Sequence, residues 1–208
     1  MASRLGDQTA RLQGRVTLNP MYHVDPVGTL LFPGLMIFGP FLGLSFFGGM
    51  LVGWAKPTPV ITRNFRKIVR DDNLTTLAGP VSNMLIVLVA FIILAINIKM
   101  VPDGHVIVLR SFIAALRPAG EVAPQPLVLI CALAILINIS LFFFNLLPIP
   151  PLDGSRVVRN LLPYHAVQVY DSIPIWGSYL LMIFLGPVIL RTLFSPVLGF
   201  VFWSLVHV

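Results

Sequence analysis

The sequence predicts an all-α polytopic membrane protein with about four to six membrane segments and a small β element near its site. Three observations carry this. Hydrophobic residues make up 57% of the chain and charged residues 11%, with a mean hydropathy of +0.90, which excludes an ordinary soluble globule. Four stretches lack any charge, Pro26–Ala55, Asn73–Ile98, Val122–Leu152 and Ser172–Leu190, each close to or beyond the roughly 20 residues that cross a hydrocarbon core. Prolines and glycines interrupt the first and third of these, as in helices broken at membrane depth.

Taken in order, Met1 to Asp25 is a polar arm, and Met1 to Asn19 within it has no apolar core and no small-residue cleavage site, so no cleavable signal peptide is expected there. Within it, Arg11–Leu18 flanks a Gln13-Gly14 turn signal with short alternating runs and reads as strand, as does Pro57–Ile61 from its proline spacing. Residues 26–55 hold Gly28, Gly34, Gly39, Gly43, Gly48, Gly49 and Gly53 with Pro33 and Pro40, a composition for a re-entrant or broken hairpin. Asn64–Asp72, with Arg63 just before it, is a basic surface loop suited to anionic headgroups. Segments 73–98, 122–152 and 172–208 complete one membrane-embedded domain over residues 1–208, the last with an apolar tail after Arg191.

Charge orients these segments. If residues 26–55 enter and return, one side holds ten basic residues (Arg4, Arg11, Arg15, Lys56, Arg63, Arg66, Lys67, Arg70, Arg156, Arg159) against Lys99, Arg110 and Arg117 on the other. That asymmetry favours the hairpin and puts the ten toward the cytoplasm of a multi-pass membrane protein. The net charge of +6 is thus topological, with no nucleic-acid partner implied. Cys131 is a lone apolar-run cysteine with no disulfide framework.

The chemistry concentrates in Asn145-Leu146-Leu147-Pro148-Ile149-Pro150-Pro151-Leu152-Asp153-Gly154. A carboxylate and an amide at the end of a long apolar run are costly to place, and an ionisable group there marks a functional site. Pro148, Pro150 and Pro151 cannot continue a helix, so an extended segment is expected to hold Asp153 in a fixed direction from Asn145. Asp153 also suits a helix N-cap, and Asn145 a cap or an interhelical bond.

The pattern N-x-x-P-x-P-x-x-D-G resembles the second signature of the site-2 protease family of intramembrane zinc metalloproteases. Leu5-Gly6-Asp7, Gly14-Arg15-Val16-Thr17-Leu18-Asn19-Pro20, His23-Val24-Asp25-Pro26-Val27-Gly28, Gly53-Trp54-Ala55-Lys56-Pro57 and Ala78-Gly79-Pro80-Val81-Ser82-Asn83 resemble further blocks of its compact bacterial branch. The likeness runs from Leu5 to about Val158. It implies Zn2+ as cofactor, Asp153 as third metal ligand and Asn145 as a catalytic residue polarising the scissile carbonyl of a membrane-spanning protein substrate. In that family a small sheet pairs with the unwound substrate, consistent with strand addition.

The family's first signature, H-E-x-x-H, supplies two histidine ligands and a general base, and no such spacing occurs among His23, His105, His165 and His207. The expectation is a protease whose start is misassigned or shortened just past that motif, inactive as written and unable to retain zinc with one ligand of three. A non-catalytic pseudoprotease that binds membrane segments is the alternative, ahead of a small transporter subunit. His23 reads as a turn residue, and Asn83 as packing glue within its helix. Substrate, pathway and oligomeric state have no signal in the sequence.

Overall fold

The computed structural model describes residues 1–17, 19–31, 56, 58–116 and 125–207, and among them every regular element is helical. They form two compact units, Met1–Asp72 and Asn73–Val208, each described by itself.

The first unit is built around a buried acid. Helices α1 (Ala2–Leu5) and α2 (Thr9–Leu12) flank Asp7, which is completely shielded from solvent. Its carboxylate accepts the Thr9 amide at 3.1 Å, the Thr9 hydroxyl, the Ile61 amide at 2.8 Å and the Asn64 side-chain amide at 3.1 Å. A fifth link, from the Arg66 amide to the Leu5 carbonyl at 3.2 Å, pins the same two stretches together. The Thr9 hydroxyl, helped by the Ile61 and Asn64 donors, holds Asp7 well below the usual carboxylate range despite its burial.

The strand expected over Arg11–Leu18 is corrected here. Thr9–Leu12 is a helical turn, closed by bonds from the Arg15 amide to the Ala10 carbonyl (2.8 Å) and from the Gly14 amide to the Arg11 carbonyl (3.0 Å). Those two bonds, with Gly14 at φ +66°, make a helix-terminating Schellman motif. The Gln13-Gly14 signal is therefore genuine, but it ends a helix instead of turning a hairpin. Residues 58–61 are irregular and lead into a 3₁₀ turn at Thr62–Asn64, so no strand occurs among the described residues. The glycine-rich hairpin falls largely on residues 32–55, outside the described residues; before them Pro26–Leu31 forms a wide helical turn.

The second unit is a bundle. Helix α3 (Ile68–Met100) covers the expected 73–98 run and extends it to 33 residues, about 50 Å at 1.5 Å per residue. Asp71 accepts the Lys67 amide at 2.8 Å at its start. Helix α4 (Gly104–Leu116) follows a tight turn, and α5 (Pro126–Asn145) begins with proline at its first position, where no amide is needed. Its 20 residues, roughly 30 Å, match a hydrocarbon core. Two short helices, α6 (Asp153–Leu161) and α7 (Tyr164–Asp171), precede α8 (Ile175–Val206). Helix α8 runs unbroken through Arg191, which the sequence treats as a boundary; a lone arginine can extend its charged end toward water while its stem stays apolar.

Packing is apolar inside and out. Val87, Ala90, Leu94 and Ile98 of α3 recur every three or four residues and meet Val128, Cys131, Ala132, Ile135, Leu136 and Ile139 of α5, with Val108 and Phe112 of α4 and Val201 and Leu205 of α8. Phe112 and Phe202 pack edge to face with centroids 4.6 Å apart. The opposite faces expose Leu85, Val89, Ile92, Ile130 and Ile137, which suits lipid. Among the described residues α3 and α5 are long and apolar enough to cross a membrane, and Arg191–Val206 is a shorter apolar stretch.

Candidate active site

Asn145 is the last residue of α5 and Asp153 the first of α6, so the motif spans one helix end and the next helix start. Residues 146–152 between them are not extended as the prolines suggest. They fold into consecutive turns, with the Leu152 amide bonded to the Ile149 carbonyl at 2.9 Å and a cis peptide bond between Pro150 and Pro151. The reason lies in Gly154, whose added Cβ would stand 2.1 Å from the Leu146 carbonyl oxygen and 2.6 Å from that of Leu147. Only a residue without a side chain lets the start of α6 press on the end of α5. The chain thereby returns on itself, so that Asn145 and Asp153 each sit one residue from that contact.

Two further ties fix the turn. The Tyr170 hydroxyl of α7 donates to the Pro148 carbonyl at 2.8 Å, and the Ser155 hydroxyl donates to the Leu152 carbonyl at 2.6 Å. Burial raises the Tyr170 phenol above its ordinary range, against a lowering hydrogen bond with Ser155, so it stays a donor at neutral pH. Asn160 of α6 donates to Asn73 of α3 at 2.8 Å, and Arg159 clasps Asp171 with two bonds of 2.8 and 2.7 Å.

Asp153 does not act as a helix cap: Leu152 holds the N-cap position, with no side-chain cap bond. The Asp153 carboxylate points at α3, where its Oδ2 lies 3.5 Å from the point a Gly79 Cβ would occupy. Asn83, half-buried one helical turn further along, shares that face of α3. Partial burial pushes the Asp153 carboxyl up from its ordinary value, while the Arg156 charge pulls it down. Asn145 is also half-buried, and among the described residues neither side chain is engaged in a hydrogen bond.

The sequence singles out both the Asn145–Gly154 block and the Ala78–Asn83 block, and the fold brings them together at Asp153 and Gly79. Gly79 and Tyr170 were missed as parts of this site. Gly79 stands within Ala78–Asn83, whose likeness to the family marks it; nothing in the sequence around Tyr170 does so. The histidines have surroundings of their own. The His23 ring is 3.0 Å from the Thr17 carbonyl beside the Asp25-Pro26 turn, where the Asp25 carboxylate accepts the Val27 amide at 3.0 Å. His105 lines an apolar cavity of about 390 Å³, His165 packs edge-on against Tyr164, and His207 lies tilted against Trp203 with ring centroids 4.6 Å apart.

A helical bundle carrying a half-buried carboxylate just past the end of an apolar span is the class of a membrane enzyme or carrier. Comparison with known proteins narrows it: a profile described as Peptidase family M50 matches residues 50–185, so the chain belongs to that family, the site-2 proteases. It is 35% identical over 163 residues to the "Putative zinc metalloprotease YwhC" of Bacillus subtilis (strain 168), covering 78% of this chain and 61% of that protein. It is 26% identical over 200 residues to the "Putative zinc metalloprotease Rip2" of Mycolicibacterium smegmatis, covering 96% of this chain and 64% of that protein. The chain therefore spans about three fifths of the length of the curated relatives it matches. No solved structure matches it.

The family implies zinc. The donors present do not make a zinc site, because among the described residues no three His, Cys, Asp or Glu side chains come together and Asp153 is the lone carboxylate at the turn.

Proposed function

We propose that these residues form the Asp-bearing part of a site-2 protease that hydrolyses peptide bonds of membrane-spanning substrates in the bacterial cytoplasmic membrane. Asp153 is the one metal donor they contribute, and Asn145 is the amide that engages the substrate carbonyl. The carrying observation is the Asp153 carboxylate: it is held by the Gly154 contact, left out of capping and directed at Gly79. A carboxylate restrained on both sides and free of local bonds is suited to an external ligand. The reading calls for further donors and a general base of the kind an H-E-x-x-H motif carries, and no such motif occurs among these 208 residues. Counting the glycine-rich run, we infer four to six membrane segments in one embedded domain.

The absence of H-E-x-x-H favours one rival, a pseudoprotease that binds membrane segments without cutting them. The native gene decides between the two. The protease reading expects H-E-x-x-H in the same frame within about ten codons ahead of Met1, at the helical spacing that zinc sites use. A stop codon in that interval without the motif would overturn the protease in favour of the pseudoprotease.

A further inference from the structure

We infer that the exposed basic face of the first unit docks on anionic phospholipid headgroups where α3 enters the bilayer. The sequence of this unit is mixed in charge, but the fold sorts the signs. Of its acids, Asp7, Asp71 and Asp72 are buried, at 0%, 4% and 4% exposure, and Asp25 is half-buried. Arg4, Arg63, Arg66, Lys67 and Arg70 are all exposed. The exposed charged side chains of this stretch are thus cations.

These cations are also held together. Asp7 and the Arg66-to-Leu5 bond fasten the end of α1 and the residues just after it to Ile61–Arg66, so Arg4 is one residue in sequence from a contact with the Arg63–Arg66 turn. Lys67 and Arg70 stand at the start of α3, and Arg70 lies only three residues, about 4.5 Å of helix rise, before the charge-free run from Asn73. Ile68 and Val69 between them are exposed at 56% and 50%, so apolar side chains reach the surface close to these cations. A helix entering lipid at Asn73 sets such a face at the level of the phosphates, where each Lys or Arg gains from a negative surface. A nucleic acid fits less well, because the apolar side chains would remain in water. The inference is independent of the protease reading.

The test uses the full chain in nanodiscs of phosphatidylcholine alone or mixed with phosphatidylglycerol. It reads the lipid that stays bound through purification and the hydrogen exchange of residues 58–70. Enrichment of phosphatidylglycerol over its bulk share is expected, with slowed exchange in the mixed discs and loss of both at high salt. Each cation neutralised in Arg63→Gln/Arg66→Gln/Lys67→Gln/Arg70→Gln should cut the preference roughly fivefold at low salt. Because that variant could insert wrongly, Arg4→Gln/Arg63→Gln, which leaves α3 unchanged, provides the second readout. Equal retention of the two lipids by the unmodified chain overturns the inference, as does an unchanged preference in the Arg4/Arg63 variant. Inorganic phosphate giving the same protection in phosphatidylcholine discs would also overturn it, assigning the face to a soluble anion.

Discussion

Asp7 and Asp153 are two carboxylates withdrawn from water in separate units, and their surroundings differ in kind. Asp7 accepts four hydrogen bonds from Thr9, Ile61 and Asn64 and lies far below its ordinary pKa. Asp153 is engaged in none among the described residues and is pushed up by burial. A saturated carboxylate has no valence left for a ligand, so Asp7 joins chain segments. An unsaturated one held by backbone packing retains its oxygens for something else. Burial of an acid is thus a poor guide to function until its partners are known.

The largest change expected comes from Gly154→Ala. Its Cβ would stand 2.1 Å from the Leu146 carbonyl, so the turn must open and carry Asp153 away from Gly79. Loss of the native α5–α6 junction should appear as a stability drop of about 3 kcal/mol or more, within the range for severe backbone effects. A folded variant with unaltered exchange protection at residues 146–155 would break the claim that this contact aims the carboxylate.

Asp7→Ala comes next. Removing it takes the acceptor from the half-buried Ile61 amide and leaves the exposed Asn64 side chain to water, at a cost of about 1–2 kcal/mol in the first unit. Faster hydrogen exchange at Ile61 and Arg66 would report this. Unchanged exchange would show that the acid is not what joins the two stretches.

A pH titration of the two carboxyls by carbon NMR sharpens the contrast. The folded pKa of Asp7 is depressed, so its stabilisation is complete above the ordinary value of about 3.9 and is lost only as pH falls through the lower folded value. Asp153 is raised, so the folded state disfavours its charged form and this cost grows as pH rises through the ordinary range. Asp7 should remain ionised at pH 4 while Asp153 has begun to protonate above it. The reverse order would contradict both assignments. The smallest effect is expected from Arg159→Gln. Its partner Asp171 is a surface group, and any loss of stability should disappear at high salt.

How far the sequence revealed this contrast depends on the residue. The spans at α3 and α5 were legible because a bilayer tolerates few charges, and runs 73–98 and 122–152 have none. Asp153 was legible because a carboxylate at the end of such a run is conspicuous. Asp7 was not, because nothing in a polar arm says which acid will be enclosed; its partners Ile61 and Asn64 lie more than fifty positions away. Arg11–Leu18 read as strand because short runs on either side of Gln13-Gly14 fit a hairpin as well as the end of the Thr9–Leu12 helical turn. The proline-rich turn was expected to be extended because local rules see the prolines and not the approach of Gly154 to Leu146.

Zinc content bears on the incomplete donor set. The purified 208-residue chain should hold well under one zinc per molecule, since a lone carboxylate cannot fill a site that uses three protein ligands. Near-stoichiometric zinc lost on Asp153→Ala would show a donor set other than the one described.

The most direct test is cleavage of a reporter membrane-spanning substrate by the protein expressed from its native gene, at matched membrane abundance, for Asp153→Ala beside Asp7→Asn. The account predicts no cleavage by the Asp153 variant despite normal insertion, and retained cleavage per folded molecule by the Asp7 variant. Undiminished cleavage by Asp153→Ala would contradict it.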